Sequence, residues 1–402
     1  MTVTVPDLIP APPADRLRAE LSELAAIHRP SASSGERQAA EWALARLREH
    51  GARGRIDVER VHGDYWSPLA LLSAAGAAGA LIGRRHRRVG GALSALAAAG
   101  VWDDITGGNH HVRRLLPRRE AFNVVAEIGP DDARRTVVLV AHHDAAKSGL
   151  IFHPGIPAFV WRRFPSLIER SDTSPPLMWP VFGGPALAAA GTLTGLRALR
   201  TAGGVVSAGG AAVFAQIGST RTVPGANDNG TGVIALIEVA RRLAAQPTSS
   251  VRVLLVSTGS EESFMEGMQA FMRRHAPALP REDTFFLAVD TIGSPHLTAI
   301  RGEGMLYMNE YPRAGLDLVD SVAQELGVWL FPNLRFRNAT DGLHALKQGY
   351  TCACLGSVTD YKTPSNYHWR TDTPEHVDYG TFADGVRLCE GIVRRLDGAW
   401  LS

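Results

Sequence analysis

The chain has 402 residues, enough for one large α/β domain or two ordinary ones, and 42 basic residues nearly balance 40 acidic ones, for a net charge of +2. No basic run is interleaved with aromatic residues, which argues against nucleic acid as a partner. Three cysteines without paired spacing, Cys352, Cys354 and Cys389, make neither a disulfide framework nor a thiolate zinc site and read as small buried hydrophobes.

Residues 1–13 are polar and proline-rich, with no basic start and no apolar core, and do not read as a signal peptide. An amphipathic helix is predicted over residues 14–27. A second opens at Ser33 and Glu36, spaced as a capping box, and runs to Gly51. Residues 55–61 alternate as a strand does. The next strands are 121–128 and 135–141, the latter nearly all apolar and β-branched (Thr136-Val137-Val138-Leu139-Val140). Residues 251–256 and 285–289 repeat that character. Such strands are buried on both faces, which predicts a mostly parallel sheet under helices, and helices are predicted over 232–245, 263–274, 315–326 and 381–396. The expected fold class is therefore α/β, a three-layer α/β/α domain with a mostly parallel mixed central sheet.

Two stretches stand outside that core, within residues 64–107 and 151–220. The first holds two Ala/Gly/Leu-rich segments around Arg84-Arg85-His86-Arg87-Arg88, and the second repeats the plan around Arg197 and Arg200. Each apolar segment is on the short side of the ~20 residues that cross a bilayer. Trp66, Trp102 and Trp179 sit at segment edges, where interfacial aromatics belong. These stretches read as two inserted apolar helical hairpins that contact a membrane; the alternative is burial against each other or against a second copy of the chain. The expected location is membrane-associated, with a cytoplasmic chain as the alternative. A shallow insertion would suit the lack of a signal peptide. Residues 150–168, with Phe159-Val160-Trp161-Arg162-Arg163-Phe164, suit a headgroup or a partner interface equally.

The chemistry lies in five short segments at strand ends or glycine-rich turns: His142-His143-Asp144, Gly225-Ala226-Asn227-Asp228-Asn229-Gly230, Glu261-Glu262, Val289-Asp290 and Tyr367-His368. Ligands bind beyond the carboxyl ends of strands in open α/β sheets, and three of these segments follow the three most apolar strands. Together they offer two imidazoles, three carboxylates and a spare glutamate, an inventory that suits a zinc pair in amide hydrolysis. Asp144 is placed to accept the second N–H of a metal-binding His142. His143 should point away. Asp228 is either an N-cap or a carboxylate bridging two cations. One of Glu261 and Glu262 can ligate while the other takes a proton from water. Asp290 is a ligand or a cap, and His368 is the fifth candidate.

Order and spacing of these segments resemble the zinc-dependent aminopeptidase and glutamate-carboxypeptidase-like peptidases, the twenty-eighth metallopeptidase family. The resemblance covers roughly residues 14–62, 120–150 and 222–398. It implies two zinc ions per chain, with Asp228 bridging, His142 and Asp290 completing one site, and Glu262 and His368 the other. Glu261 would be the general base and acid, Asp144 would orient His142, and Tyr367 would contact the peptide substrate. The family's acid-histidine motif before the last strands is present only as Thr340-Asp341-Gly342. The implied activity is release of N-terminal residues. A single-zinc glutaminyl cyclase and a catalytically silent membrane scaffold on the same fold are the alternatives.

Overall fold

The computed structural model describes residues 9–108 and 110–401; residues 1–8 of the proline-rich N-terminal segment lie outside the described residues. Two helices open the chain, α1 (Ala14–Ala25) and α2 (Ser34–Glu49), followed by β1 (Arg53–Val61). Next come α3 (Trp66–Ile82), α4 (Arg87–Ile105), β2 (Arg119–Ile128) and β3 (Arg135–His142). Two short helices, α5 (Gly155–Arg163) and α6 (Pro165–Glu169), precede the long pair α7 (Trp179–Thr194) and α8 (Arg197–Ser219). The chain then alternates through α9 (Thr231–Ala245), β4 (Val251–Thr258), α10 (Glu266–His275), β5 (Thr284–Val289) and β6 (His296–Ala299). A two-residue ribbon, β7 (Gly302–Glu303) with β8 (Asn309–Glu310), leads to α11 (Arg313–Leu326), α12 (Gly342–Lys347), β9 (Thr351–Val358) and α13 (Tyr379–Gly398).

The main sheet has the order β1-β2-β4-β3-β5-β9-β6. Its four central strands, β4, β3, β5 and β9, are parallel, while β1, β2 and β6 join antiparallel at the edges. The β-branched run of β3 is buried on both faces, as continuous apolarity requires. One face packs against α1, α2, α9, α11 and α13, with Leu139, Leu255 and Leu287 pointing into that layer. The other face, bearing Val138, Val140 and Phe286, meets α10, α12 and the roots of the long helical pairs. The mostly parallel α/β architecture expected from the strands is the one present.

Two local expectations need correction. Residues 263–265 are not helical: α10 starts only at Glu266, because Ser260, Phe264 and Met265 take left-handed φ values (53°, 69° and 55°) in a tight turn. The capping box is half made. Ser33 Oγ accepts from Glu36 N (3.1 Å), but the Glu36 carboxylate turns to Ala32 N (2.7 Å), Phe122 N (3.0 Å) and Ser260 N (2.9 Å). It thereby anchors the turn that carries Glu261 and Glu262.

Both hairpins form, and they pack on each other as one four-helix bundle of α3, α4, α7 and α8. Arg197 and Arg200 lie in the first turn of α8 and not in the link before it.

Candidate metal centre

Four parallel strands bring their carboxyl ends to one rim, and the register places His142 beside Thr258, so the β3 and β4 exits emerge together. All five proposed donors converge there. His142 Nε2 lies 3.3 Å from Asp228 Oδ1 and 3.9 Å from Asp290 Oδ2. His368 Nε2 lies 3.3 Å from Asp228 Oδ2 and 3.1 Å from Glu262 Oε2. Donor atoms of His142, Asp228 and Asp290 form one tight group, and those of Asp228, Glu262 and His368 form another. A third grouping, His142 with Glu261 and Glu262, overlaps both. Glu261 Oε2 stands 3.8 Å from His142 Nε2.

The donor set fits zinc. Ligands at ~2.0–2.1 Å around a tetrahedral zinc are about 3.3 Å apart, close to the 3.1–3.3 Å between His142 and Asp228, His368 and Asp228, and His368 and Glu262. Asp228 Oδ2 and Glu262 Oε1 are buried without hydrogen-bond partners, as donors reserved for a cation would be. Electrostatics agree. Burial pushes Glu261 well above the usual carboxylate range, helped by Glu262, Asp341 and Asp290, and it pushes Asp290 up to about 8. Burial would neutralise His368, yet the Glu262 carboxylate holds it charged up to about 10. Asp228 is held low despite burial by the His142 and His368 imidazoles beside it. The cluster is short of positive charge, which a divalent ion supplies.

Asp144 does more than face His142, whose Nδ1 lies 3.2 Å from the Asp144 carbonyl oxygen and 3.5 Å from its carboxylate. Its carboxylate accepts from Glu261 N (3.0 Å), Glu262 N (3.1 Å) and Ser31 Oγ (2.7 Å), pinning both glutamates. His143 joins none of the three groups; its Nδ1 meets Ser257 Oγ at 2.9 Å, and burial lowers it to about 4. Tyr367 stacks on His368 with ring centroids 3.8 Å apart.

Two supporting residues, Arg29 and Asp372, had no role in the sequence reading, and Gly225 and Asp341 gain one here. Arg29 is fully buried and donates to the carbonyls of His143 (2.6 Å), Pro224 (2.6 Å) and Gly225 (2.6 Å), tying the His142 and Asp228 loops together. Burial lowers it to about 10, opposed by Asp372, Asp144 and Asp228. Asp372 accepts from Asn227 N (2.8 Å) and Asp228 N (3.0 Å), fixing the Asp228 loop. Gly225 takes φ 63°, and a Cβ there would stand 2.6 Å from Asp228 O and 2.9 Å from Arg29 Nη2, so only glycine fits. Asp341, the remnant of the acid-histidine motif, accepts from Thr258 Oγ1 behind the site, and burial pushes it up to about 6. Arg29 has no local sequence signal, whereas Asp372 stands four residues after His368 on the same loop.

Beside the donors opens a cavity of about 420 Å³ with mostly apolar walls, including Tyr65, Phe152, Leu177, Phe264, Met305 and Tyr367. Phe152 packs edge-on against His368 with centroids 4.7 Å apart. The segment 150–168, expected at a headgroup or partner interface, instead supplies one wall of this cavity through Ile151, Phe152, Ile156 and Val160, while Phe159 and Phe164 stay exposed. Lys362 Nζ donates to the carbonyls of Ile168 (2.7 Å) and Glu169 (3.3 Å), holding that wall in place.

Comparison with known structures returns the same architecture. A zinc-dependent exopeptidase from Parabacteroides distasonis is 13% identical, with 97% of this chain and 99% of that chain covered and a TM-score of 0.57. A glutaminyl cyclase from Tannerella forsythia is 15% identical (96% and 99% covered, TM-score 0.58). A leucine aminopeptidase precursor from Bacteroides thetaiotaomicron is 12% identical (96% and 98% covered, TM-score 0.56). No curated protein matches the chain in sequence. The model of Peptidase family M28 matches residues 212–392, a stretch that carries four of the five converging donors together with Glu261. Over residues 212–392 the chain is thus similar to Peptidase family M28.

Proposed function

We propose that the chain is a metal-dependent peptidase that works with two zinc ions and releases N-terminal residues. One observation carries the reading. The two carboxylate oxygens of Asp228 face different imidazoles, His142 and His368, each at 3.3 Å, so one side chain is placed to serve two cations. His142 and Asp290 would complete one site, and Glu262 and His368 the other.

A bound zinc pair supplies a water acidified toward neutrality and a Lewis acid for the scissile carbonyl. Glu261 borders the cavity, takes the proton from the attacking water and returns it to the departing amine. Asp144 keeps Glu261 and Glu262 aimed through their backbone amides. Tyr367 lines the same cavity and contacts the substrate, while the apolar walls hold a bulky side chain and exclude water.

Likeness to a glutaminyl cyclase makes cyclisation of an N-terminal glutamine the second reading. A silent scaffold is disfavoured, because all five donors and the base are retained in one place. Zinc quantitation with a panel of aminoacyl arylamides tests the proposal. Two zincs per chain are expected, with leucyl and phenylalanyl arylamides hydrolysed faster than aspartyl or lysyl ones. A chain that binds a single zinc and cyclises glutaminyl peptides without hydrolysing arylamides sinks the aminopeptidase reading in favour of the second.

A further inference from the structure

The bundle of α3, α4, α7 and α8 is built inside out. Its interior between the tips and the roots is lined by small or hydroxylated residues, among them Ser73, Gly76, Gly79, Ser94, Gly184 and Ser207. A Cβ added at Gly79 would stand 2.7 Å from Gly90 O, and one added at Gly203 would stand 2.2 Å from Ala188 N, so the backbones touch. Large aliphatic side chains point outward instead: Leu71 is 60% exposed and Leu96 70%, and Leu81, Val89, Leu193 and Val205 are exposed as well. A water-facing bundle buries leucine and exposes polar groups. This one reverses both.

Charge follows the same plan. Helices α3 and α7 carry no Asp, Glu, Lys or Arg, and those of α4 and α8 lie only in end turns: Arg87, Arg88, Asp103, Asp104, Arg197 and Arg200. At the tip, Arg84, Arg85, Arg87, Arg88, Arg197 and Arg200 gather, since Arg87 donates to the Thr192 and Leu193 carbonyls and so joins the two hairpin turns. Among the described residues none of these six arginines has a carboxylate in salt-bridge reach. At the root, aromatic rings meet cations, Trp66 with Lys147 and Trp179 with Arg337, or each other, Trp102 with Tyr307. The helices of 16 to 23 residues are about 24–35 Å long at 1.5 Å per residue, against a hydrocarbon core of about 30 Å. Helix α8 is long and apolar enough to cross a membrane by length and composition, with 17% of its most apolar window buried inside the protein.

We propose that this bundle is embedded in a lipid bilayer along its length, with the tip arginines among anionic headgroups on one side and the aromatic root at the other interface. Unpaired arginines complement phosphate and serine headgroups. Tryptophan and tyrosine favour the interface. The root also borders the cavity: Tyr65 immediately precedes α3, Met178 immediately precedes α7, and both line it. The catalytic mouth thus sits at headgroup level.

The test uses the full chain. After detergent-free lysis and a carbonate wash it should stay in the membrane fraction. Cysteine probes then locate the bundle: Leu96→Cys on α4, Val205→Cys on α8 and, as the water-exposed reference, Gln246→Cys. The three native cysteines are buried and stay silent. In vesicles of phosphatidylcholine and phosphatidylglycerol, a membrane-impermeant maleimide should modify Leu96→Cys and Val205→Cys about tenfold or more slowly than Gln246→Cys, because thiolate does not form in hydrocarbon. Equal rates at all three positions overturn the proposal. So does recovery of the washed chain in the supernatant, whether as a monomer or as a discrete oligomer whose copies cover the leucines.

Discussion

The two halves of this molecule solve opposite problems. At the strand ends, Asp144, Asp228, Glu261 and Glu262 are buried together with His142, His368 and Arg29, a concentration of negative charge that costs free energy and that divalent ions would relieve. In the bundle, charge is driven to the ends and even the interior hydroxyls of Ser73, Ser207 and Thr192 lack partners. The catalytic end accepts instability to hold a reagent. The bundle removes every charge from its midsection, which suits a solvent that cannot stabilise one.

The sharpest way to break the catalytic half is Glu261→Gln. It keeps shape and hydrogen bonding but cannot hold a proton in transit, so kcat should fall about 10²–10⁴-fold with both zincs retained by metal analysis. Near-normal turnover removes Glu261 from the chemistry. Arg29→Met comes next and acts on folding. It strands the carbonyls of His143, Pro224 and Gly225, and at ~1–3 kcal/mol for each unsatisfied buried group the stability read from urea unfolding should drop by at least about 3 kcal/mol. Asp144→Asn is milder. It keeps the volume but removes the charge that aligns His142 and the Glu261–Glu262 amides, and zinc affinity should fall about 10–100-fold in a competition titration.

These residues differ in how legible they are. His142, Asp290 and the Glu261-Glu262 pair end or follow strands whose apolar runs are obvious, so topology alone brings them to one rim. The central sheet was legible for the same reason. Arg29 and Glu36 were not, because they bind backbone groups 114 and 224 residues away and no local pattern encodes such partners. The late start of α10 escaped notice because three non-glycine residues there adopt left-handed φ, which composition does not announce. Bundle polarity was hidden for a further reason. Helix α3 is apolar all round, so its periodicity says nothing about which side packs, and only contacts reveal that the small residues face in.

That last point gives the finest test, because inward glycine and outward leucine sit two residues apart on α3. At Gly79 a Cβ would lie 2.3 Å from Ser94 Oγ and 2.7 Å from Gly90 O, and the carbonyl belongs to a backbone that cannot swing aside. Gly79→Val should therefore separate α3 from α4 and cost about 1–3 kcal/mol, the usual penalty of overpacking, seen as a lower melting temperature in detergent micelles. Leu81→Ala removes little contact with protein, since Leu81 is 64% exposed, and its effect on the same melting curve should stay within about 0.5 kcal/mol. Were α3 rotated so that leucine packed inside, the order would reverse, since leucine truncation would then open a cavity and glycine would lie at the surface. A larger loss from Leu81→Ala than from Gly79→Val would place the leucines inside and undo the contrast between the two halves.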